Sequence, residues 1–296
     1  MSRLMPKAEM LLQASDEERI KYVYTPHWIP YPAAEAIITK LQWMLTFPKK
    51  HRMPCLLVVG QSDNGKSTLV THFRNSVNPA ADPEAELTEM PVVLFEAPAK
   101  PDERSLYVQL LRALHVPPRT AYGAEPLLSQ LLTVLPKLGV KLIIGEEVHN
   151  ALACNAKQQR RFLNALKFLA NQTQLPIVLT GTREAFNALD VDPQMASRFT
   201  PMWLPHWRND RTYGKLLSSL EKFLPLKNPS DIAKHPKLSE SILAKSDGTI
   251  GGISMLLQQA AEAAIADKEE TITSELIEKL DWIPLHERRE YAMKAL

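Results

Sequence analysis

One run of eight residues carries the clearest chemical signal in the chain. Residues 60–67 read GQSDNGKS and match the pattern G-x-x-x-x-G-K-[ST] throughout. Glycines let such a loop turn tightly enough for its N–H groups to face phosphate oxygens, and the helix that follows points its positive dipole end at the same anion. We expect Lys66 to reach the β and γ phosphates of a nucleotide and Ser67 to ligate Mg²⁺. The predicted nucleotide contacts are Gly60, Asp63, Asn64, Gly65, Lys66, Ser67 and Thr68.

A phosphate loop of this kind also needs an acidic residue at the end of another strand. Residues 142–150 read LIIGEEVHN, in which an apolar run leads directly into two glutamates. We assign Glu146 to the Mg²⁺ shell and Glu147 to polarising the attacking water. The other register gives the base role to Glu146 and leaves Gly145 at the metal position, and two solvated glutamates in a loop are a third interpretation. His149 has no Cys or His partner at metal-ligand spacing, which favours a structural role.

A polar residue at the end of a further strand could sense the γ-phosphate. The triplet 180–182, Thr-Gly-Thr, follows the apolar run 177–179. Thr182 is the first candidate for this role and Thr180 the second. Either threonine could instead cap the helix that begins near Glu184, and the two roles can coexist.

The elements that must position these residues follow from the hydrophobic pattern. From Met53 onward, short apolar runs alternate with longer amphipathic stretches, which is typical of a parallel sheet covered by helices on both faces. Strands are expected at 55–59, 91–95, 140–144, 176–180 and 199–204. After Trp207 the strand pattern disappears and only helical patterns remain. The sequence therefore predicts an α/β fold with three parts: an N-terminal arm and first helix (1–50), a nucleotide-binding domain (51–207) and a small helical lid domain (208–296).

Composition excludes several classes of protein. The chain has 296 residues, of which 45% are hydrophobic and 23% charged, so whole-chain disorder is excluded. The longest apolar runs are far shorter than the roughly 18 residues of a membrane span, and the N-terminus has no apolar segment typical of a secretory signal. Two cysteines, Cys55 and Cys154, cannot form a disulfide framework, which favours the cytoplasm. A net charge of +2 neither indicates nor excludes nucleic-acid binding.

The order of these motifs resembles that of the AAA+ P-loop NTPases: phosphate loop, acidic pair, polar strand end, then an arginine after a short helix. Arg198, within the run 197–199 (Ser-Arg-Phe), looks like that arginine. More narrowly, the chain resembles the TniB/TnsC group of transposition ATPases over roughly residues 20–280. Four stretches carry this resemblance: YTP at 24–26, EVHN at 147–150, VLTGTREA at 178–185 and GTIGGI at 248–253.

The resemblance implies an ATPase that binds ATP and Mg²⁺, assembles head to tail on double-stranded DNA, and recruits a DDE-type transposase to a target marked by a TniQ-like partner. By this analogy Arg198 would reach the γ-phosphate held by a neighbouring subunit, because a guanidinium is always charged and forked. The alternative for Arg198 is an intramolecular salt bridge.

The sequence departs from the family pattern at two positions. Glu146 stands where the family usually has Asp, which puts rapid hydrolysis in doubt. In the lid, Gly251 or Gly252 occupies the position of a sensor arginine found in many AAA+ proteins. Nucleotide sensing is therefore expected to depend on the neighbour's arginine.

The resemblance also implies a DNA-binding surface after the second strand. The matching residues are Lys100, Arg104, Arg119, Thr120 and Tyr122. Cations there would pair with phosphates, so little sequence specificity is expected. Ordinary solvated loop charges are the alternative, because Asp102 and Glu103 lie between two of the cations.

Three other functions remain open at this point. An AAA+ helicase loader or a replication-initiator-like ATPase would use the same nucleotide motifs. A nucleotide-gated scaffold with little turnover is compatible with Glu146. A small-molecule P-loop kinase would need a substrate lid and would not need Arg198.

Overall fold

The computed structural model describes residues 3–80, 88–119, 123–152, 154–284 and 287. In chain order, the helices are α1 (Pro6–Met10), α2 (Asp16–Val23), α3 (Pro32–Leu45), α4 (Lys66–Val77), α5 (Glu103–Ala113), α6 (Glu125–Lys137), α7 (Val148–Leu152), α8 (Ala156–Thr173), α9 (Arg183–Asp190), α10 (Pro193–Ala196), α11 (Arg211–Glu221), α12 (Pro236–Lys245), α13 (Ile250–Ala266) and α14 (Ser274–Lys279). The strands are β1 (Cys55–Val59), β2 (Val92–Glu96), β3 (Leu142–Glu146), β4 (Ile177–Gly181) and β5 (Phe199–Trp203). Short 3₁₀ helices cover Leu11–Gln13 and Ile232–Lys234.

The chain divides into two compact units. One is formed by Pro32–Leu204, and the other by Met1–Tyr31 together with Pro205–Leu296. The segment 1–50, which the sequence groups as one arm and helix, is therefore shared between the units: α3 lies in the first unit, and the residues before it lie in the second.

The first unit contains a parallel sheet with the strand order β2-β3-β4-β1-β5. β1 and β4 are buried along their whole length, which explains their continuous apolar sequences. β4 lies between β1 and β3, and the registers bring the carboxyl ends of all three to one edge. We call this the nucleotide edge. The parallel sheet and the C-terminal helices confirm the predicted fold class.

The strand boundaries correct the sequence analysis. β3 begins at Leu142 and ends at Glu146, two residues later than the apolar run suggested. The reason is that Lys141 and Leu142 both donate their N–H groups to the carbonyl oxygen of Pro91, which sets where pairing with β2 starts. Glu146 is consequently the last residue of its strand.

Helices α5, α6 and α8 bury apolar side chains in one core that includes β1, β3 and β4. Phe162, Leu166 and Leu169 recur at helical spacing on the buried face of α8. α8 is thereby held as a rigid element of 18 residues.

The second unit is helical. Apolar residues of α11, α12, α13 and α14 form its core, together with Val23 and Ile29 from the N-terminal segment. The guanidinium of Arg19 is fully buried and binds the carboxylate of Glu270 and the carbonyl oxygen of Pro225. No helix in the described ranges has the length and apolar character needed to cross a bilayer.

Candidate nucleotide site

The loop between β1 and α4 has the conformation that anion binding requires. Gly65 caps α4 with a φ of 77°, a left-handed backbone angle that glycine adopts without strain. The Asn64 side chain is buried and donates from Nδ2 to the carbonyl oxygen of Leu204 at 2.7 Å, which ties the loop to the segment after β5. Asp63, also at positive φ (61°), is exposed.

The lysine of the loop is buried within it. Lys66 is 5% exposed, and its Nζ donates to the carbonyl oxygens of Gly60 and Gln61 at 2.9 and 2.8 Å. Burial lowers the pKa of Lys66, while the charges of Glu147 and Glu146 act in the opposite direction. Ser67 and Thr68 are exposed in the first turn of α4, where the helical N–H groups lack intrahelical partners.

The two residues predicted to hold a metal come together. Glu146, at the end of β3, lies close enough to Ser67 for the serine side chain to affect its pKa. Burial raises the pKa of Glu146, and the nearby Ser67 side chain opposes the rise. Its Oε1 is buried without a hydrogen-bond partner. A hydroxyl beside an unsatisfied carboxylate oxygen is an oxygen donor set that fits Mg²⁺, which takes few protein ligands beside phosphates and water. The described residues contain no group of three or more His, Cys, Asp or Glu side chains that could hold a metal ion alone.

Gly145 directly precedes Glu146 in β3. A Cβ at this position would lie 2.9 Å from Cζ of Phe95 and 3.1 Å from a methyl carbon of Leu179. Phe95 and Leu179 leave no room for a side chain at position 145, which explains why a glycine precedes Glu146 in the strand. The approach of Glu146 to Ser67 supports the register in which Glu146 faces the metal.

Glu147 occupies the turn between β3 and α7. Its backbone has a φ of 52°, which is unfavourable for a residue with a side chain. Its Oε2 lies 3.3 Å from Nε2 of His149, and both side chains are partly exposed. The sequence did not predict this contact, because it depends on the unusual backbone angle.

The end of β4 adjoins the phosphate loop, since Gly60 donates its N–H to the carbonyl oxygen of Gly181 at 3.1 Å. Thr180 is fully buried, and its Oγ1 has no hydrogen-bond partner. Thr182 precedes α9 at the N-cap position, but its side chain makes no capping hydrogen bond. Both predicted sensor candidates therefore lie at the nucleotide edge.

Arg198 lies at the opposite edge of the sheet, immediately before β5. It is half-buried, and its Nη1 donates to Oδ1 of Asn171 on α8 at 3.1 Å. Val59, next to Gly60, is in register with Trp203 at the far end of β5. Arg198 is five residues before Trp203. At about 3.3 Å per residue, it lies roughly 16 Å along β5 from the end that adjoins the phosphate loop. The structure thus brings Glu146, Glu147 and Thr182 to the edge that carries Lys66, and leaves Arg198 away from it.

Of the predicted DNA-binding residues, Lys100 and Arg104 lie around the start of α5, and Arg119 lies between α5 and α6. Lys100, Arg104 and Arg119 are exposed. The two acids between the first pair have partners on α5: Asp102 accepts from the Ser105 N–H at 2.7 Å, and Glu103 accepts from the Tyr107 hydroxyl at 3.0 Å. Thr120 and Tyr122 lie outside the described residues.

Arg104 also lines a cavity of about 690 Å³ between α5 and α8. Arg161, Lys167 and Asn171 contribute to its wall from α8. The sequence did not single out Lys167 or Asn171, because their place beside Arg104 depends on how the two helices pack.

Comparison with known proteins gives one family match. The model of the bacterial TniB protein family matches residues 19–209. None of the curated protein sequences matches the chain significantly.

Solved structures share the fold at low sequence identity. The ORC2 protein of Aeropyrum pernix, solved as ADPNP–ADP complexes, is 18% identical with a TM-score of 0.60; the match covers 93% of this chain and 74% of that one. The ORC1 protein of Aeropyrum pernix in complex with DNA is 18% identical with a TM-score of 0.61, covering 94% and 69%. Cdc6p from Pyrobaculum aerophilum is 15% identical with a TM-score of 0.56, covering 84% and 67%. These similarities establish an AAA+ fold.

Proposed function

The chain belongs to the bacterial TniB family, and from that premise we propose that it is an ATP-dependent, DNA-binding AAA+ regulator of DNA transposition. In this proposal it oligomerises head to tail on target DNA and recruits a DDE-type transposase to a site marked by a TniQ-like partner. The reaction that drives the cycle is hydrolysis of ATP.

The main support for this proposal is that the candidate catalytic residues lie at two different edges of the sheet. Lys66, Ser67 and Glu146 meet at the nucleotide edge, whereas Arg198 lies roughly 16 Å away along β5. An arginine side chain extends only about half that distance. Arg198 can therefore serve a γ-phosphate only if that phosphate belongs to another subunit, which supports a composite site between copies of this chain.

Each residue of the composite site has a chemical role. The α4 N-terminus and Lys66 bind the phosphates, and Ser67 with Glu146 would hold Mg²⁺, which neutralises charge on the phosphate oxygens. Glu147 orients the attacking water and accepts its proton. Thr182, or Thr180, hydrogen-bonds at the γ-phosphate position. Arg198 of the adjoining subunit stabilises the charge that develops on the transferred phosphoryl group.

The DNA contact is proposed for Lys100, Arg104 and Arg119, with Thr120 and Tyr122 nearby in sequence. Lys100, Arg104 and Arg119 are exposed, and exposed cations suit contacts with phosphates. The solved neighbours support both ligands, since one was determined with ADPNP and ADP and another with DNA.

A mixing experiment tests the composite site. Arg198→Ala subunits keep an intact phosphate loop, and Lys66→Ala subunits keep an intact arginine. Neither variant should hydrolyse ATP alone, because an arginine of this kind contributes a rate factor of roughly 10³ or more. Together they should regain part of the activity. Co-assembled mixtures that show no recovery at any ratio would disprove the trans role of Arg198.

Assembly on DNA has its own test. Electron microscopy of the protein with duplex DNA and a non-hydrolysable ATP analogue should show head-to-tail oligomers on DNA of unrelated sequences. Omitting the nucleotide, or using Lys66→Ala, provides the matched control. Oligomers that form equally well without nucleotide would contradict the proposal.

A further inference from the structure

The guanidinium of Arg198 is held by one neutral side chain. Its Nη1 donates to Oδ1 of Asn171 at 3.1 Å, on the last full turn of α8. A neutral amide does not neutralise the guanidinium, and no carboxylate in the described part of the chain forms an ion pair with Arg198. A hydrogen bond to such an amide is weaker than one to a carboxylate, so it can be exchanged for a phosphate at low cost.

The backbone next to Arg198 is fixed independently. Nη2 of Arg52 donates to the carbonyl oxygen of Ser197 at 2.8 Å and to its hydroxyl at 2.9 Å. One helical turn before Asn171, Lys167 binds the side chain of Gln194. The short turn that carries Arg198 is thus attached to α8 and to the segment before β1, and Asn171 fixes the one side chain that must project from it.

We propose that Asn171 is a positioning residue, which presents Arg198 to the γ-phosphate of the adjoining subunit while leaving its charge available. This inference rests on the composite site proposed above. It adds that the residue at position 171 must be both a hydrogen-bond acceptor and uncharged. Preorganised supporting contacts of this kind reduce the ordering cost of a flexible charged side chain.

Asn171→Asp separates this role from a structural one. The aspartate has nearly the same volume and keeps an acceptor, so a purely structural contact would survive. Its carboxylate would instead form an ion pair with Arg198, hold the guanidinium within its own subunit and neutralise it. Asn164→Asp is the matched control, because Asn164 is exposed and lies seven residues earlier, two turns along the same face of α8.

The test uses mixed assemblies of the full chain. Arg198→Ala subunits are mixed with Lys66→Ala subunits, so that the arginine comes only from the second partner. Adding Asn171→Asp to the Lys66→Ala subunit should lower the recovered kcat by about tenfold or more, with KM for ATP unchanged, since the working phosphate loop is unaltered. Adding Asn164→Asp should leave the recovery unchanged. Asn171→Ala, which loosens Arg198 without pairing it, should lower kcat by roughly fivefold.

The outcomes distinguish the two proposals. Suppose that the mixture of Arg198→Ala and Lys66→Ala subunits recovers activity, and that adding Asn171→Asp or Asn164→Asp gives the same kcat. This result would overturn the role of Asn171 and leave the composite site intact. Failure of the parent mixture to recover would overturn the composite site and this inference with it. Co-assembly and melting temperature are measured for every variant, and if Asn171→Asp does not fold, Asn171→Ala decides.

Discussion

The carboxylate of Glu147 lies 3.3 Å from Nε2 of His149, across a turn in which Glu147 itself has a φ of 52°. The turn carries the chain from β3 directly into α7, and the Asn150 N–H closes it by donating to the carbonyl oxygen of Glu147 at 2.9 Å. Strained backbone of this kind persists where the surrounding structure holds it. The candidate base is therefore fixed at the nucleotide edge by its backbone and by its histidine neighbour.

Glu147→Gln should bind ATP and assemble on DNA but fail to hydrolyse ATP. Glutamine keeps the shape and hydrogen bonding of the side chain and loses the base, so kcat should fall at least a hundredfold. The measurement is steady-state ATPase activity beside nucleotide binding. Glu146→Gln is the comparison: loss of activity there, with normal activity in Glu147→Gln, would transfer the base role to Glu146. Negligible turnover by the unmodified protein would favour the nucleotide-gated scaffold.

Much of the fold was predictable, because parallel strands that are covered on both faces have continuous apolar sequences. All five strands were predicted, and the errors were at the ends. The predicted strand starts at Val140, yet pairing begins only at Leu142, because the Val140 N–H is directed at Leu135 and the N–H groups of Lys141 and Leu142 are both directed at Pro91. Where a strand begins depends on its neighbour, which its own sequence does not contain.

The candidate site also has a part that local sequence predicts and a part that it does not. The phosphate loop could be predicted in detail because one local motif contains the glycines, the lysine and the helix start. The approach of Glu146 to Ser67 is also expected. Glu146 ends β3 and Ser67 follows β1, and parallel strands end at the same edge of the sheet. In contrast, Arg198 meets Asn171 across 27 positions of sequence, and Glu147 meets His149 through an unusual backbone angle. Neither contact has a signal in residue type or spacing.

Lys66→Ala on its own, without ATP-binding Arg198→Ala subunits, should fail to assemble on DNA when ATP is added. The substitution removes a buried amino group that would bind the phosphates, and hydrogen bonds from a charged group contribute about 1.5–3 kcal/mol. Nucleotide affinity should consequently fall by about tenfold to a hundredfold or more, as measured by equilibrium binding of a fluorescent ATP analogue. Lys49→Ala, in an exposed residue before β1, is the matched lysine control. A Lys66→Ala protein that assembles normally with ATP would show that the loop is not the nucleotide site.

Lys100→Ala combined with Arg104→Ala should weaken binding to duplex DNA alike for unrelated sequences. Each phosphate contact contributes roughly 0.9 to the slope of log affinity against log salt concentration, so the slope should become smaller by about 2. Lys137→Ala with Lys141→Ala, two exposed cations around the start of β3, keeps the change in net charge the same. An unaltered salt slope in the first double variant would exclude this surface as the DNA contact.

The stability of the helical unit should depend on pH through Glu270. Hydrogen bonding to the Arg19 guanidinium lowers the pKa of Glu270 from its ordinary value of 4.5 to about 2, and the Lys227 N–H, 3.2 Å from Oε2, contributes to the fall. Because the pKa is lower in the folded state, the unfolded state binds more protons between these two values. The stabilisation is therefore complete above about pH 5 and is lost as the pH falls towards 2. A shift of this size corresponds to about 3 kcal/mol.

Glu270→Gln tests this directly. At pH 7 it should lower the free energy of unfolding by about 3 kcal/mol, since it removes one of the two carboxylates paired with the fully buried Arg19 and leaves only Asp16, at 3.2 Å. Between pH 5 and pH 3 the difference between the variant and the unmodified protein should shrink, because Glu270 of the unfolded chain takes up a proton in this range while the folded carboxylate stays ionised. Glu269→Gln, which changes the exposed neighbour, should leave both the stability and its pH dependence unaltered. Denaturant unfolding at pH 7, 5, 4 and 3 measures all three proteins, and a constant difference across that range would show that folding does not lower the pKa of Glu270.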